Sequence, residues 1–358
     1  ADGTRQWERS YDSLGSGFND IAVDVEVSVN GDVIVLGQGP GSSGNQDIIT
    51  LCYDALGNLK WKAIFDNNWS DGATDLVTAS DGSIYVLGGT YFAASVTDVA
   101  LLKYDATGLL QWQRYFHGGW GTDVGVGLAL DPSGDVLIGG YSIQAPGGTN
   151  FDWMALKYDS AGNQLWSATR AGAASGAPDY CWGMCADSAG DLILTGYLIN
   201  SPGLQDFTTM KFNNVGQFLW SRTLGSATGG GQVAVSDGAR SVFVAGGPHL
   251  VCYDSQGVLR WQSNFAAPGL INSSGSAITL DPAGRLVVGG TGYHASSGAQ
   301  LLTATFGSDG VLSDWDLRSG SVALRGLRAM SAQRIYSCGA RSNGHDNDGL
   351  LLRFSLLP

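Results

Sequence analysis

A Gly-x-x-x-Trp element recurs along the chain, ending at Trp7, Trp61, Trp112, Trp166, Trp220 and Trp261, with one extra residue before Trp315. The gaps between these tryptophans are 54, 51, 54, 54, 41 and 54 residues. A period near 50 is that of a unit which cannot bury its own apolar face and must stack against its neighbours. Between Trp112 and Trp166 the chain offers four strand-like runs, over residues 123–130, 135–140, 152–158 and 164–169. They are rich in Val, Ile, Leu and aromatics and bounded by Gly, Pro, Asp and Asn, as short strands are. Four antiparallel strands per unit, seven times over, predict an all-β, seven-bladed β-propeller in a single domain over residues 1–358. The 41-residue gap marks a fifth unit shortened around GGPHLVCYD.

Composition agrees with strands and turns. The chain holds 54 Gly, and charged residues make up 14%, well below the roughly 25% of an average soluble protein. Glu8 and Glu26 are the only glutamates, whereas Asp is plentiful. Asp favours turns by bonding its own backbone; Glu favours helix interiors. The Asp-x-x-Gly segments at Asp54, Asp105, Asp159 and Asp254 predict hairpin turns with Gly at positive φ, and Asp131 and Asp281 open Pro-containing turns. A tryptophan repeated once per unit on the last strand predicts packing between units, since each buries roughly 150–250 Å².

The chain ends complement each other. Residues 348–355 resemble the third strand of a unit and residues 4–10 the fourth. The N-terminal strand over 4–10 is therefore expected to complete the blade formed by 321–355, so that the ring has no unpaired edge.

The stretches YFHGGWGTDVGVGLALDPSGDVLIGGYS and FDWMALKYDSAGNQLW, with the pattern Asp-x-x-x-x-Lys-Tyr-Asp-x-x-Gly-x-x-x-Trp, resemble the bacterial SBBP-type β-propeller repeats. The likeness covers nearly the whole chain. It implies a propeller fold and leaves the role open, because such repeats occur in many secreted or surface proteins. The Trp-bearing strand is also similar to the tryptophan-docking motif of quinoprotein propellers, whose cofactor ligands and paired cysteines have no counterpart in this sequence.

Several function classes are disfavoured. A net charge of −13 argues against nucleic acid, which needs Lys and Arg clusters, and against an anionic membrane surface. No apolar run is long enough to span a membrane. Ala1 fits a mature terminus left after processing, so a secreted, periplasmic or cell-surface location is expected. Five cysteines without paired spacing read as small buried thiols. Gly-x-Ser-x-Gly, His-Glu-x-x-His and phosphate-loop motifs are absent.

Strand order predicts that minimal turns gather on one face and long connections on the other. Binding is expected on the long-loop face, through Trp69, Tyr91, Phe92, His117, Trp120, Tyr141, Tyr197, Tyr293, His294 and His345. These residue types suit a protein or glycan partner. The loops differ from unit to unit, which favours one protein-specific or assembly surface over a lectin with a site in every blade; the chain would act as a monomer or as a subunit of a larger assembly. A lyase or hydrolase with a His or Asp base is the enzymatic alternative. Asp20, Asp75, Asp123 and Asp179 each precede a first strand, and are expected either to cap the entering loop or to converge at the channel mouth around a cation or polar ligand. No cofactor is expected unless it is calcium. FDNNWSDGATD (residues 65–75) spaces oxygen side chains like a calcium loop, but lacks the Gly in register and the terminal Glu.

Overall fold

The computed structural model describes residues 7–13, 20–41, 44–93, 96–144, 150–174, 176–200, 203–225, 230–319, 322–331, 334–342 and 347–354, with side chains as far as residue 317, those of residues 92 and 93 excepted. Every helix or strand among the described residues is a β-strand. Six antiparallel sheets each take four consecutive strands, over residues 21–65, 71–116, 123–170, 180–223, 233–264 and 270–319. They are numbered one to six in chain order. A further sheet takes Val322–Ser331, Arg334–Ser342 and Asn347–Phe354, with Glu8–Tyr11 beside the last of these. Glu8 lies opposite Leu352 and Tyr11 opposite Gly349. The strand expected over 4–10 is therefore described as Glu8–Tyr11; residues 1–6 lie outside the described residues.

Position within a sheet sets the burial pattern. Second and third strands are covered on both faces by neighbouring sheets, so Val33–Pro40 and Gln46–Tyr53 are nearly continuous buried runs. The fourth strand, Leu59–Phe65, lies at the rim and alternates. Between sheets one and two, Leu36 and Ile48 pack with Val86 and Leu102. Ile138 and Leu156 join Leu87 and Leu101 between sheets two and three. The fifth sheet is short, with first and second strands Val233–Ser236 and Val242–Gly246, as its missing residues require.

A tryptophan clamp ties each of sheets one to five to the sheet that follows. The indole N–H of Trp61 donates to Ala106 O at 3.1 Å, that of Trp166 to Asn214 O at 3.1 Å, and that of Trp220 to Ser255 O at 3.1 Å. Each acceptor belongs to the turn between third and fourth strands of the following sheet. The turn glycine lies against the ring: a Cβ on Gly108 would meet Trp61, and Gly108 has φ 84°. Both facts require glycine there. Trp7 makes the same bond to Ala55 O at 3.1 Å. Arg9, Arg114 and Arg222, two residues beyond their tryptophans, add a second rung by donating to Gly57 O, Gly162 O and Gly257 O.

Buried lysines fasten the opposite hairpin. Lys157 Nζ lies 2.7 Å from Asp131 and 3.1 Å from Asp135. Lys211, with no exposed side-chain surface, reaches Asp187 at 2.6 Å and Asp191 at 3.2 Å. Arg240 of sheet five pairs with the same two aspartates, so the network crosses between sheets. Cys52, Cys181, Cys185 and Cys252 are buried free thiols, and burial pushes Cys52 up to about 11 and Cys181 and Cys252 up to about 12. The side chain of Cys338 lies outside the described ones.

Candidate functional site

The first strands of sheets one to six surround a central cavity of 210 Å³, lined among others by Asp24, Asp75, Val126, Trp182, Val233 and Ala277. A second cavity of 400 Å³ continues along the same strands, past Glu26, Thr78, Leu130 and Thr279. At a β-bulge between first and second strands, each of sheets one to four and six inserts one unpaired residue beside the cavity: Val23, Thr74, Val126, Trp182 and, at the second irregularity of sheet six, Ser276. A bulge re-aims its side chain. Four of these insertions are small or aliphatic, whereas Trp182 places a ring 46% exposed beside the cavity.

Around Trp182 stands an aromatic cluster. Trp182 stacks on Tyr180, with ring centroids 5.7 Å apart and planes 16° from parallel. Tyr180 meets Tyr141 edge-on at 5.0 Å and also contacts Phe151 at 5.3 Å and Tyr197 at 5.5 Å. Register brings them together: Tyr180 pairs directly with Tyr197, and Tyr141 comes across from the sheet before. Beneath them Trp153 is buried, its indole donating to Tyr197 O at 3.3 Å. Burial and then neighbouring groups, Tyr180 foremost, raise the hydroxyls of Tyr141 and Tyr197, which stay neutral at physiological pH. The result is a rigid, partly exposed aromatic platform with hydroxyls close by.

Of the residues expected to bind, Tyr141 and Tyr197 join this cluster. Both lie on strands, as do Tyr91, Tyr293 and His294, because their hairpins extend the sheets beyond the blade body. The expected loop TYFAASVT is such an extension, with Tyr91 opposite Thr97. Trp69, Tyr91, Trp120 and Tyr293 are exposed, and no ring contact among the described residues joins them to the cluster. His294 Nδ1 is 3.0 Å from Ser296 Oγ. The side chain of Phe92 and the whole of His345 lie outside the described residues. Sequence reasoning missed Trp182 and Tyr180; an aromatic pair flanking a cysteine in a first strand was the available signal.

The expected Asp series needs correction. Asp20, Asp123 and Asp179 stand before or at the start of their strands and are buried, but the matching residue of sheet two is Asp71, not Asp75. Each lies two residues before the first residue of the bulge pairing, at Ala22, Ala73, Gly125 and Cys181. They are not gathered on the axis. Asp20 Oδ2 accepts from Ser13 N at 3.0 Å, Asp71 Oδ2 from Asn67 N at 3.0 Å, and Asp179 Oδ1 from Ile199 N at 2.7 Å. Asp123 accepts from Gly118 N at 2.5 Å and from the Ser142 hydroxyl. Asp75 does line the cavity, where burial and the neighbouring Asp24 hold its carboxyl well above the ordinary range. Its oxygens accept from Leu76 N at 2.9 Å and Leu128 N at 2.7 Å.

Two of the joints between sheets gather donor atoms that suit a cation. Between sheets one and two, ligand atoms of Asp47, Asp66 and Asp71 lie within 4.8 Å of one another; between sheets two and three, those of Asp98, His117 and Asp123 do the same. The positions correspond: Asp66 follows Phe65 as His117 follows Phe116, each at the end of a fourth strand. His117 Nδ1 is 2.9 Å from Asp98 Oδ1, and this hydrogen bond raises the imidazole above its ordinary value. Burial first, then Asp66 and Asp71, push Asp47 up to about 6.

Comparison with known proteins places the chain, by fold, among β-propellers. No family model matches it. The WD40 domain of Neurospora crassa Pan2 superposes with a TM-score of 0.62 at 8% identity, covering 99% of this chain and 96% of that one. A protein of unknown function from Dyadobacter fermentans gives 0.58 at 10% identity, with both chains covered fully (100% each). A puromycin hydrolase mutant complexed with PGG gives 0.60 at 13% identity, over 92% of this chain and 51% of that chain. At such identities the likeness is one of fold. The regulatory protein FlaEY of Caulobacter vibrioides is 29% identical over 133 residues, 33% of this chain and 14% of that protein's length.

Proposed function

We propose that the protein is a non-enzymatic, extracytoplasmic binding propeller that takes a protein partner on its long-loop face, with the cluster around Trp182 as the anchor. The observation that carries this reading is that, among the described residues, the cluster occurs once. An exposed indole stacked on a tyrosine has the makeup of an interface anchor, where aromatic residues concentrate binding energy. The corresponding insertions Val23, Thr74, Val126 and Ser276 offer no such surface, so the platform fits a single partner rather than a ligand bound blade by blade. The scaffold in this reading is a ring of seven blades. The pairing of Glu8–Tyr11 with Asn347–Phe354 and the bond from Trp7 to Ala55 support its closure. An outward location is supported by fold likeness to an extracellular domain of a one component system from B. thetaiotaomicron, TM-score 0.53 at 13% identity.

The flat, stacked pair of Trp182 and Tyr180 beside tyrosine hydroxyls also favours a second reading, a glycan-binding platform. The two are separated by presenting the purified protein to a glycan array and, in parallel, using it as bait in the surface fraction of its source. A protein captured by the wild type and lost with Trp182→Ala supports the first reading; a saturable sugar signal lost with the same variant replaces it by the second. Capture unaffected by Trp182→Ala, with no glycan signal, would remove the cluster from the binding site.

A further inference from the structure

The joint between sheets one and two holds three carboxylates with no counter-charge among them. Asp47 is the second residue of the strand Gln46–Tyr53, Asp66 follows Leu59–Phe65, and Asp71 opens Asp71–Thr78. Their ligand atoms lie within 4.8 Å of one another, and Asp47 and Asp71 are only 2% and 1% exposed. Like charges at such distances repel strongly away from water.

Local hydrogen bonding uses only part of what these groups offer. Asp71 Oδ2 accepts from Asn67 N, and Asp66 Oδ1 accepts from Asn68 N at 2.6 Å. Asp47 Oδ2 fills the space beside Gly41, where any Cβ would collide with it. The Oδ1 atoms of both Asp47 and Asp71 are left buried without a well-formed hydrogen bond, and the neutral Thr90 hydroxyl steadies the Asp71 carboxyl from the side. A buried carboxylate oxygen lacking such a bond costs several times what an ordinary hydrogen bond returns, and two such atoms in one acidic joint call for a cation.

The neighbouring joint shows how the same geometry is satisfied otherwise. There His117 occupies the position of Asp66, supplies a protonatable group, and pairs with Asp98. Asp123 is bonded by Gly118 N and the Ser142 hydroxyl, and neither aspartate leaves a buried oxygen without a partner. One joint carries its own protonatable imidazole; the other has a third carboxylate in the corresponding place.

We propose that Asp47, Asp66 and Asp71 form a Ca²⁺ site that ties the last strands of sheet one to the first strand of sheet two. The donor set is all oxygen and mostly carboxylate, which suits a hard cation with a flexible shell, and calcium accepts irregular geometry completed by water where magnesium does not. The residues 65–75 thus enter a calcium site without following a contiguous loop pattern, because a ligand comes from a strand nineteen residues before Asp66 (66 − 47 = 19). The site is separate from the aromatic platform and does not depend on the partner proposed for it.

The test uses the whole chain, Ca²⁺ titration by calorimetry, Tb³⁺ luminescence sensitised by the nearby Trp69 and Tyr115, and melting in Ca²⁺ against EDTA. Expected are Tb³⁺ emission displaced by Ca²⁺, and a higher Tm in Ca²⁺ than in EDTA. Asp47→Asn and the exposed Asp66→Asn should each weaken Ca²⁺ binding at least tenfold. Their sign on stability should also invert: a lower Tm than the wild type in Ca²⁺, an equal or higher one in EDTA, where a repelling charge has been removed. Asp98→Asn, at the next joint, should leave Ca²⁺ binding unchanged. Binding that survives both Asp47→Asn and Asp66→Asn, a Tm indifferent to Ca²⁺, or equal saturation by Mg²⁺ would overturn the assignment.

Discussion

Trp166 and Trp182 belong to adjacent sheets and do opposite work. Trp166 lays its ring on Gly216 and donates its N–H to Asn214 O, a contact repeated in kind by Trp7, Trp61 and Trp220. Trp182 sits on a bulge, nearly half exposed, and its counterparts in sheets one, two, three and six are Val, Thr, Val and Ser. Residues that recur at the period hold the units together, and a residue that breaks the pattern at a recurring position, with no structural partner requiring it, marks the surface that was selected for something else.

The largest effects should come from the recurring side. Trp220→Ala removes a ring buried between sheets four and five and should cost about 3–5 kcal/mol, read as a lower denaturant midpoint. Trp7→Ala should cost a similar amount if the ring is closed through Glu8–Tyr11; a loss below about 1 kcal/mol, the size of an ordinary surface change, would mean that the closure contributes little. Lys211→Ala would strand Asp187 and Asp191 with only Arg240 and should cost about 3–5 kcal/mol, as breaking a buried ion pair does. Trp182→Ala should do the reverse of Trp220→Ala: stability within about 0.5 kcal/mol of the wild type, but a loss of about 2 kcal/mol or more in partner affinity. If it unfolds the protein instead, the contrast between the two tryptophans fails.

The smallest effect concerns pH. Hydrogen bonding to Asp98 raises His117 in the folded protein, so the pair's contribution to stability is complete below the imidazole's ordinary value and is lost as pH rises through the raised folded value. An NMR titration should place the His117 midpoint above that of a free histidine, and Asp98→Asn should bring it back. A midpoint unchanged by Asp98→Asn would sever the pair.

The fold was legible because its signals are local and periodic. A turn such as Asp54 to Gly57 declares itself in four residues, and the third unit's strands were placed within about the usual uncertainty of a few residues at their ends; the strand over residues 123–130 is observed with the same ends. What failed was register across irregularity. Asp75 was matched with Asp20, Asp123 and Asp179 because it follows a loop-like run, yet the strand already begins at Asp71. The bulge that re-aims Trp182 leaves no mark on the alternation of DYCWGMC. The joint of Asp47, Asp66 and Asp71 was invisible for a different reason: the loop residues could be seen, but the strand residue that faces them is fixed only by sheet pairing.

The tryptophan clamp also gives the molecule a direction. The indoles of Trp7, Trp61, Trp166, Trp220 and Trp261 each reach forward to the turn of the following sheet and lie against that turn's glycine, so the neighbouring sheets they join are donor and recipient rather than equals. Damage to one turn, for instance a side chain introduced at Gly216, would dislodge Trp166 behind it while leaving Trp220 ahead seated on Gly257. Fraying should therefore travel backwards along the chain, toward lower residue numbers, and hydrogen exchange after a single turn mutation would show an asymmetric wake. A repeat that looks even along the chain is, in its failure modes, a one-way street.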